Sequence, residues 1–251
     1  MRMKKLKKAI EIMDLAMRKQ KENFDSVFII CGKERVGKST LMLHLLDYVG
    51  GDISCIGLDR VEFVNALVQS KKSGVVCFDE AGDGLLSRDA MSTFNKDLVK
   101  AFMVIGGRRL ITFFVLPSFF MLDKYFREYR VRGLFFVYRR GKFNYFSPNG
   151  ISKIINKGDK YIPVYIKDSD SFPDYKGKLL EPYLELKEKK IHSTIEELQK
   201  KYKNSVDVKL TKQEKVLMLS QITNLNQKEI AKQVGLSPSY VSLIINPSKS
   251  G

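Results

Sequence analysis

Residues Gly32 to Thr40 read Gly-Lys-Glu-Arg-Val-Gly-Lys-Ser-Thr, and their types and spacing suit the capture of a phosphate chain. A phosphate group needs inward-pointing N–H donors, and a loop bounded by glycines lets the backbone wrap closely enough to supply them. Gly32, Lys33, Glu34, Arg35, Val36 and Gly37 would form that cradle. Lys38 would reach the β- and γ-phosphates of ATP, the Ser39 hydroxyl would hold Mg²⁺, and Thr40 would meet the α-phosphate. A helix starting there adds its unpaired N–H groups and its dipole.

A second segment completes the chemistry. Val75-Val76-Cys77-Phe78 is an apolar run ending in Asp79-Glu80, which places two adjacent carboxylates at the end of a buried strand. Asp79 would join Ser39 in the Mg²⁺ shell, and Glu80 would orient or deprotonate the attacking water. The expected reaction is hydrolysis of a nucleoside triphosphate. Further on, Leu110–Leu116 runs into Pro117-Ser118, where Ser118 is a candidate γ-phosphate sensor and equally a helix N-cap. Arg127 and Arg130 are candidates for an arginine supplied to a neighbouring subunit's site.

Positioning these groups requires a sheet. Short apolar runs alternate with helical stretches, which predicts an α/β fold with a mostly parallel sheet covered by helices on both faces. The expected strands are Val27–Cys31, Ile53–Ile56, Val75–Asp79, Leu110–Leu116 and Leu134–Tyr138, followed by a hairpin through Phe143–Phe146 and a short strand at Tyr161–Ile166. The expected helices are Lys38–Tyr48, Val61–Gln69, Asp89–Ile105 and Phe119–Tyr129, with an N-terminal amphipathic helix whose apolar face carries Leu6, Ile10, Met13 and Met17. That helix's basic face suits either solvent or nucleic acid. Pro182 to Tyr202 reads as a charged helix striped by Leu184, Ile191, Ile195 and Leu198, with Lys203–Val208 as a linker. The domain reading is residues 1–178 for the nucleotide-binding body, 179–209 for a connector, and 210–251 for a small all-α module.

In that module Ile230, Ala231 and Val234, then Gly235, then Leu236, Val241 and Ile244 follow a helix-turn-helix pattern, with Leu210–Ile222 as the supporting helix. Ser237-Pro238 marks the start of the second helix. Ser239, Tyr240 and Ser242 would face a major groove, with Lys228 and Lys232 near phosphates. A helical trio used for protein contacts is the competing interpretation. The formal charge of +16 favours a polyanionic partner, double-stranded DNA first. Leu110–Leu122, the most apolar stretch, is too short to cross a bilayer, so no membrane span is expected. The widely spaced Cys31, Cys55 and Cys77 read as core residues in a reduced, cytoplasmic setting.

The order of the loop, Val-Val-Cys-Phe-Asp-Glu-Ala, a helix, Leu-Ile-Thr-Phe-Phe-Val-Leu-Pro-Ser and Asp-Lys-Tyr-Phe-Arg-Glu-Tyr-Arg-Val-Arg-Gly resembles the additional-strand branch of P-loop ATPases. Within that branch the chain is similar to the FtsK and HerA group of DNA translocases and to the Zot-like ATPases of phages, archaeal viruses and plasmids. It departs from the latter in lacking a membrane span. The resemblance covers Val27 to Phe146 and implies a RecA-like P-loop NTPase fold, Mg²⁺-dependent ATP hydrolysis and a homo-oligomeric ring, a hexamer in the translocases, acting on DNA of a mobile element. The alternatives are a replication- or transposition-helper ATPase and a nucleotide-switched DNA-binding regulator.

Overall fold

The computed structural model describes residues 6–79, 88–157, 161–163, 168–209, 212–222 and 225–245. The chain divides into two compact units, residues 1–191 and 192–251.

The first unit is built on one seven-stranded sheet. Its strands are β1 (Ser26–Cys31), β2 (Ile56–Gly57), β3 (Val75–Asp79), β4 (Ile111–Leu116), β5 (Val131–Arg139), β6 (Lys142–Phe146) and β7 (Ser169–Ser171), in the spatial order β2-β3-β4-β1-β5-β6-β7. The strands from β2 to β5 pair in parallel, whereas β6 and β7 continue the sheet antiparallel. β4 lies between β1 and β3 although it follows both in sequence, pairing Cys31 with Leu116 and Val115 with Asp79.

Both faces are covered, and for that reason β1, β3 and β4 are buried at every position and read as unbroken apolar runs. Alternate strand residues serve the two faces. Phe28, Ile30, Cys77 and Phe113 pack with α1 (Lys7–Lys21) and α2 (Lys38–Tyr48). Ile29, Phe78, Phe114 and Leu134 pack with α3 (Arg60–Gln69), α4 (Arg88–Ile105) and α5 (Pro148–Asn156). Phe114 is central to the second face, with ring centroids 5.3 Å from Phe63 and 5.6 Å from Phe126.

Several elements differ from the expectations. Ile53–Cys55 forms a 3₁₀ turn capped by the Asp52 carboxylate, leaving a strand of only Ile56–Gly57. The expected helix Phe119–Tyr129 is broken into a 3₁₀ turn at Phe119–Met121 and a π-helical turn at Phe126–Arg130. Leu122 is extended, and the Asp123 carboxylate accepts the Tyr125 N–H at 2.8 Å, so a new turn starts there. Residues 161–163 are not in a strand, and part of the expected Tyr161–Ile166 strand lies outside the described residues. The N-terminal helix buries Ala9, Ile12, Met13 and Ala16, a face rotated from the expected one, with Leu6 and Met17 packed at its margin. Finally, α6 (Leu180–Lys209) runs through the expected linker, and its stripe residues Leu184, Ile191 and Ile195 are about half exposed.

The second unit continues with α7 (Lys212–Ile222), α8 (Gln227–Val234) and α9 (Pro238–Ile245). Val216, Ile230, Ala231 and Val241 form its buried centre. Asn226 and Glu229 make a reciprocal capping box at the start of α8, and the helix stops at Gly235, whose φ is +67°. The Ser237 hydroxyl accepts the Tyr240 N–H at 3.3 Å, so Ser237 caps α9.

Arg130 belongs to the frame of the first unit. Its guanidinium donates to the Asp25 carboxylate at 2.6 Å and to the Phe102 carbonyl at 2.9 Å. It thereby ties the start of β1 to α4. Arg130→Met should lower the unfolding free energy by about 1–3 kcal/mol, because a partly buried carboxylate loses its partner. A denaturant titration checks this, and nucleotide affinity should stay at the parental value.

Candidate functional site

The parallel strands end together at one edge of the sheet, and the candidate groups are found at that edge. The loop Gly32–Gly37 leaves β1 and feeds directly into α2. Two features make its glycines necessary. A Cβ on Gly32 would stand 2.1 Å from the Val137 carbonyl oxygen of β5, so only glycine allows the loop to pack there. Gly37 has φ +96° and precedes the first turn of α2, with the Phe172 ring closing over it. Arg35 is also left-handed, with φ +60°. Turns of this kind direct successive N–H groups to one concave side, where the α2 N-terminus adds its own donors.

Lys38 donates to the carbonyls of Gly32 at 2.9 Å and Lys33 at 2.8 Å, folding its ammonium over the loop. Partial burial pulls its pKa below the ordinary lysine value, and the Asp79 charge opposes that shift. Ser39 and Thr40 follow in the first turn of α2, both half-buried. Asp79 closes β3 and is 3% exposed. β4 brings it to the loop, since its neighbours Val115 and Leu116 pair with Asp79 and Cys31. Ser118 lies two residues beyond β4, and its hydroxyl accepts the Phe120 N–H at 3.3 Å as an N-cap. Glu80 lies outside the described residues.

α6 contributes groups that the sequence reading overlooked. The Tyr183 hydroxyl donates to the Asp79 carboxylate. Burial, reinforced by the Asp79 charge, pushes the Tyr183 pKa far above its ordinary value, so the phenol keeps its proton. Lys187 Nζ lies 3.4 Å from Ser39 Oγ and 3.9 Å from Asp79 Oδ2, above the Tyr183 ring. Lys190 bonds Asp59, the N-cap of α3. Burial works against the Asp59 carboxylate, but Lys190 and the α3 N–H groups hold its pKa below the usual range. The signal available in the sequence was a spacing of four and then three residues along one helix, which puts Tyr183, Lys187 and Lys190 on one face.

The other candidates stand apart. Arg130 is held at the opposite edge of the sheet, because Asp25 precedes β1 whereas the loop follows it. Arg127 lies over the Phe120 and Phe119 rings, 5.3 and 5.8 Å from their centroids, and burial lowers its pKa. Cys31 and Cys77 are fully buried in β1 and β3, and burial pushes the Cys31 thiol up to about 12, which keeps it protonated at neutral pH.

In the second unit Lys228, Lys232, Ser239 and Tyr240 are exposed and Ser242 is half-buried. The Tyr240 hydroxyl accepts a hydrogen bond from Gln213 Nε2 at 3.0 Å, which fixes the ring against α7. No helix among the described residues is long and apolar enough to cross a membrane.

No protein-family model and no curated protein matches the chain.

Proposed function

We propose that the first unit is a P-loop ATPase of the additional-strand type and that its hydrolysis serves work on double-stranded DNA. The observation that carries this reading is the convergence of Lys38, Ser39 and Asp79 at one sheet edge, with β4 inserted between the strand that carries the loop and the strand that carries Asp79. The groups fit Mg·ATP: a glycine-bounded loop with left-handed turns, a lysine, a hydroxyl in the first helical turn and a buried carboxylate.

In this reading the loop N–H groups and the α2 N-terminus bind the phosphates, and Lys38 moves from the loop carbonyls to the β- and γ-phosphate oxygens. Ser39 and Asp79 would hold Mg²⁺, which would supply positive charge to offset the charge of the phosphates. Glu80 orients the attacking water and takes its proton, and Ser118 reports the γ-phosphate. Arg127 is the arginine left to act across a subunit boundary in a homo-oligomer, since Arg130 is committed to Asp25.

DNA enters as partner through the charge of +16 and through the exposed Lys228, Lys232, Ser239 and Tyr240. The reading as a nucleotide-switched DNA-binding regulator is favoured by one observation: α6, whose first turns touch Asp79 and Ser39, runs on to Lys209. A phosphate-release assay with and without duplex DNA separates the two. A DNA-driven ATPase should be stimulated several-fold by duplex DNA, whereas a regulator should show nucleotide-dependent DNA affinity with an unstimulated rate. Absence of Mg²⁺-dependent hydrolysis under both conditions would overturn the enzyme reading.

A further inference from the structure

We propose that the start of α6 is an autoinhibitory strap, with the Lys187 ammonium standing in for the Mg²⁺ that Ser39 and Asp79 would bind, so that Mg·ATP and the Lys187 contact exclude each other. This rests on the nucleotide-binding reading above. The bonds that hold the strap to the body include Tyr183 to Asp79, Lys187 to Ser39, and Lys190 to Asp59. Their residues share one helical face, so one displacement of the helix breaks all three together.

Shared partners make the contact exclusive. Lys187 Nζ lies 3.4 Å from Ser39 Oγ, and a Mg²⁺ on the same oxygen would bind at about 2.1 Å, which leaves the two cations within roughly 5.5 Å of each other in any direction. Both would also draw on the Asp79 carboxylate, one of whose oxygens already accepts the Tyr183 hydroxyl and lies 3.9 Å from Lys187. Ser39 Oγ and the Asp79 carboxylate cannot serve the Lys187 ammonium and a metal ion in the same positions, so Lys187 gives up both partners when the metal is held. Lys187 is able to leave, because its side chain is 28% exposed and ends a flexible stem. Tyr183 is the anchor, only 3% exposed on the face of the helix that meets the body.

Polar contacts join Leu180 and Leu186 in seating the start of α6 on the body. Leu184, Ile191 and Ile195 stay half-exposed while Tyr183, Lys187 and Lys190 face the body. Removal of the strap would expose Asp79 and Ser39 together, the pair a metal ion needs.

The test uses the full chain and a fluorescent ATP analogue, titrated with Mg²⁺ and again with EDTA, for the parent, Lys187→Ala, Lys187→Arg and Lys38→Ala. Lys187→Ala should bind Mg·ATP roughly two- to fivefold more tightly than the parent, the effect of removing one competing ion pair. It should not gain affinity in EDTA, and Lys187→Arg should restore the parental value. Amide exchange supplies a readout independent of affinity. In the parent, residues 180–191 should exchange faster when Mg·ATP is bound, and in Lys187→Ala they should already exchange faster without it. Weaker or unchanged Mg·ATP binding by Lys187→Ala, or unchanged exchange in the nucleotide-bound parent, would show that Lys187 is a phosphate contact or a bystander and would overturn the strap. If the parent itself binds no Mg·ATP and matches Lys38→Ala, the nucleotide-binding reading fails and the strap falls with it.

Discussion

Lys38→Ala is expected to weaken binding of Mg·ATP by about 10- to 100-fold, because charge-assisted hydrogen bonds to phosphate oxygens contribute roughly 1.5–3 kcal/mol. Glu80→Gln should leave that affinity near the parental value while lowering the hydrolysis rate by about 10²–10⁴-fold, the range for loss of a positioned general base. The two variants separate the cradle from the chemistry. The measurements are a binding titration and a phosphate-release assay under single-turnover conditions. Should Glu80→Gln hydrolyse ATP at the parental rate, the water-activating carboxylate is another residue. Lys38→Ala should also leave unfolding by denaturant nearly unchanged, since the Lys38 ammonium bonds two loop carbonyls at the molecular margin and no buried charge is orphaned.

The parts of this site that were legible in the sequence are those fixed by local pattern. Val75–Asp79 has the expected bounds because all five positions are buried and the apolar run stops at the carboxylate. Lys38–Tyr48 has its expected start because Gly37 adopts a left-handed turn in front of it. The helix Phe119–Tyr129 failed for the opposite reason. Its spacing of Phe119, Leu122 and Phe126 satisfies helical periodicity, yet those side chains are buried from a segment that Asp123 restarts midway.

What the sequence could not display are pairings between distant residues. Tyr183 meets Asp79 across 104 positions, Arg130 meets Asp25 across 105, and Lys187 meets Ser39 across 148. In α6 the apolar stripe pointed to one face and the structure uses another, because a buried carboxylate attracts a phenol and an ammonium more specifically than half-exposed leucine and isoleucine attract a sheet edge. The same holds for Arg108. Its guanidinium donates to the Leu67 and Val68 carbonyls at 2.7 and 3.0 Å and closes the last turn of α3, a use of its charge that the sequence does not display.

That distinction shapes the second large effect, the division of the proposed DNA contacts between the two units. Arg139, Arg140 and Lys142 are exposed at the β5–β6 turn, Arg140 within 3.7 Å of the exposed Asp174 carboxylate, and such surface charges attract any duplex. Lys228 and Lys232 are exposed on α8, while Ser239 and Tyr240 are exposed at the start of α9, the position from which a recognition helix reads base edges. Gln213 steadies the Tyr240 hydroxyl, which would lower the entropy cost of the proposed contact with DNA. A chain ending at Lys209 should therefore still bind duplex DNA with a steep salt dependence, near −0.9 in log K per log salt for each phosphate neutralised. It should lose discrimination of about 1–3 kcal/mol for each base contact made by Ser239, Tyr240 or Ser242. Salt series against several duplexes, for the full chain and the shortened one, measure both quantities. Equal sequence preference in the two would make α7, α8 and α9 a protein-contact or assembly module, and parental salt slopes in an Arg139→Gln, Arg140→Gln, Lys142→Gln variant would remove the β5–β6 turn from the DNA path.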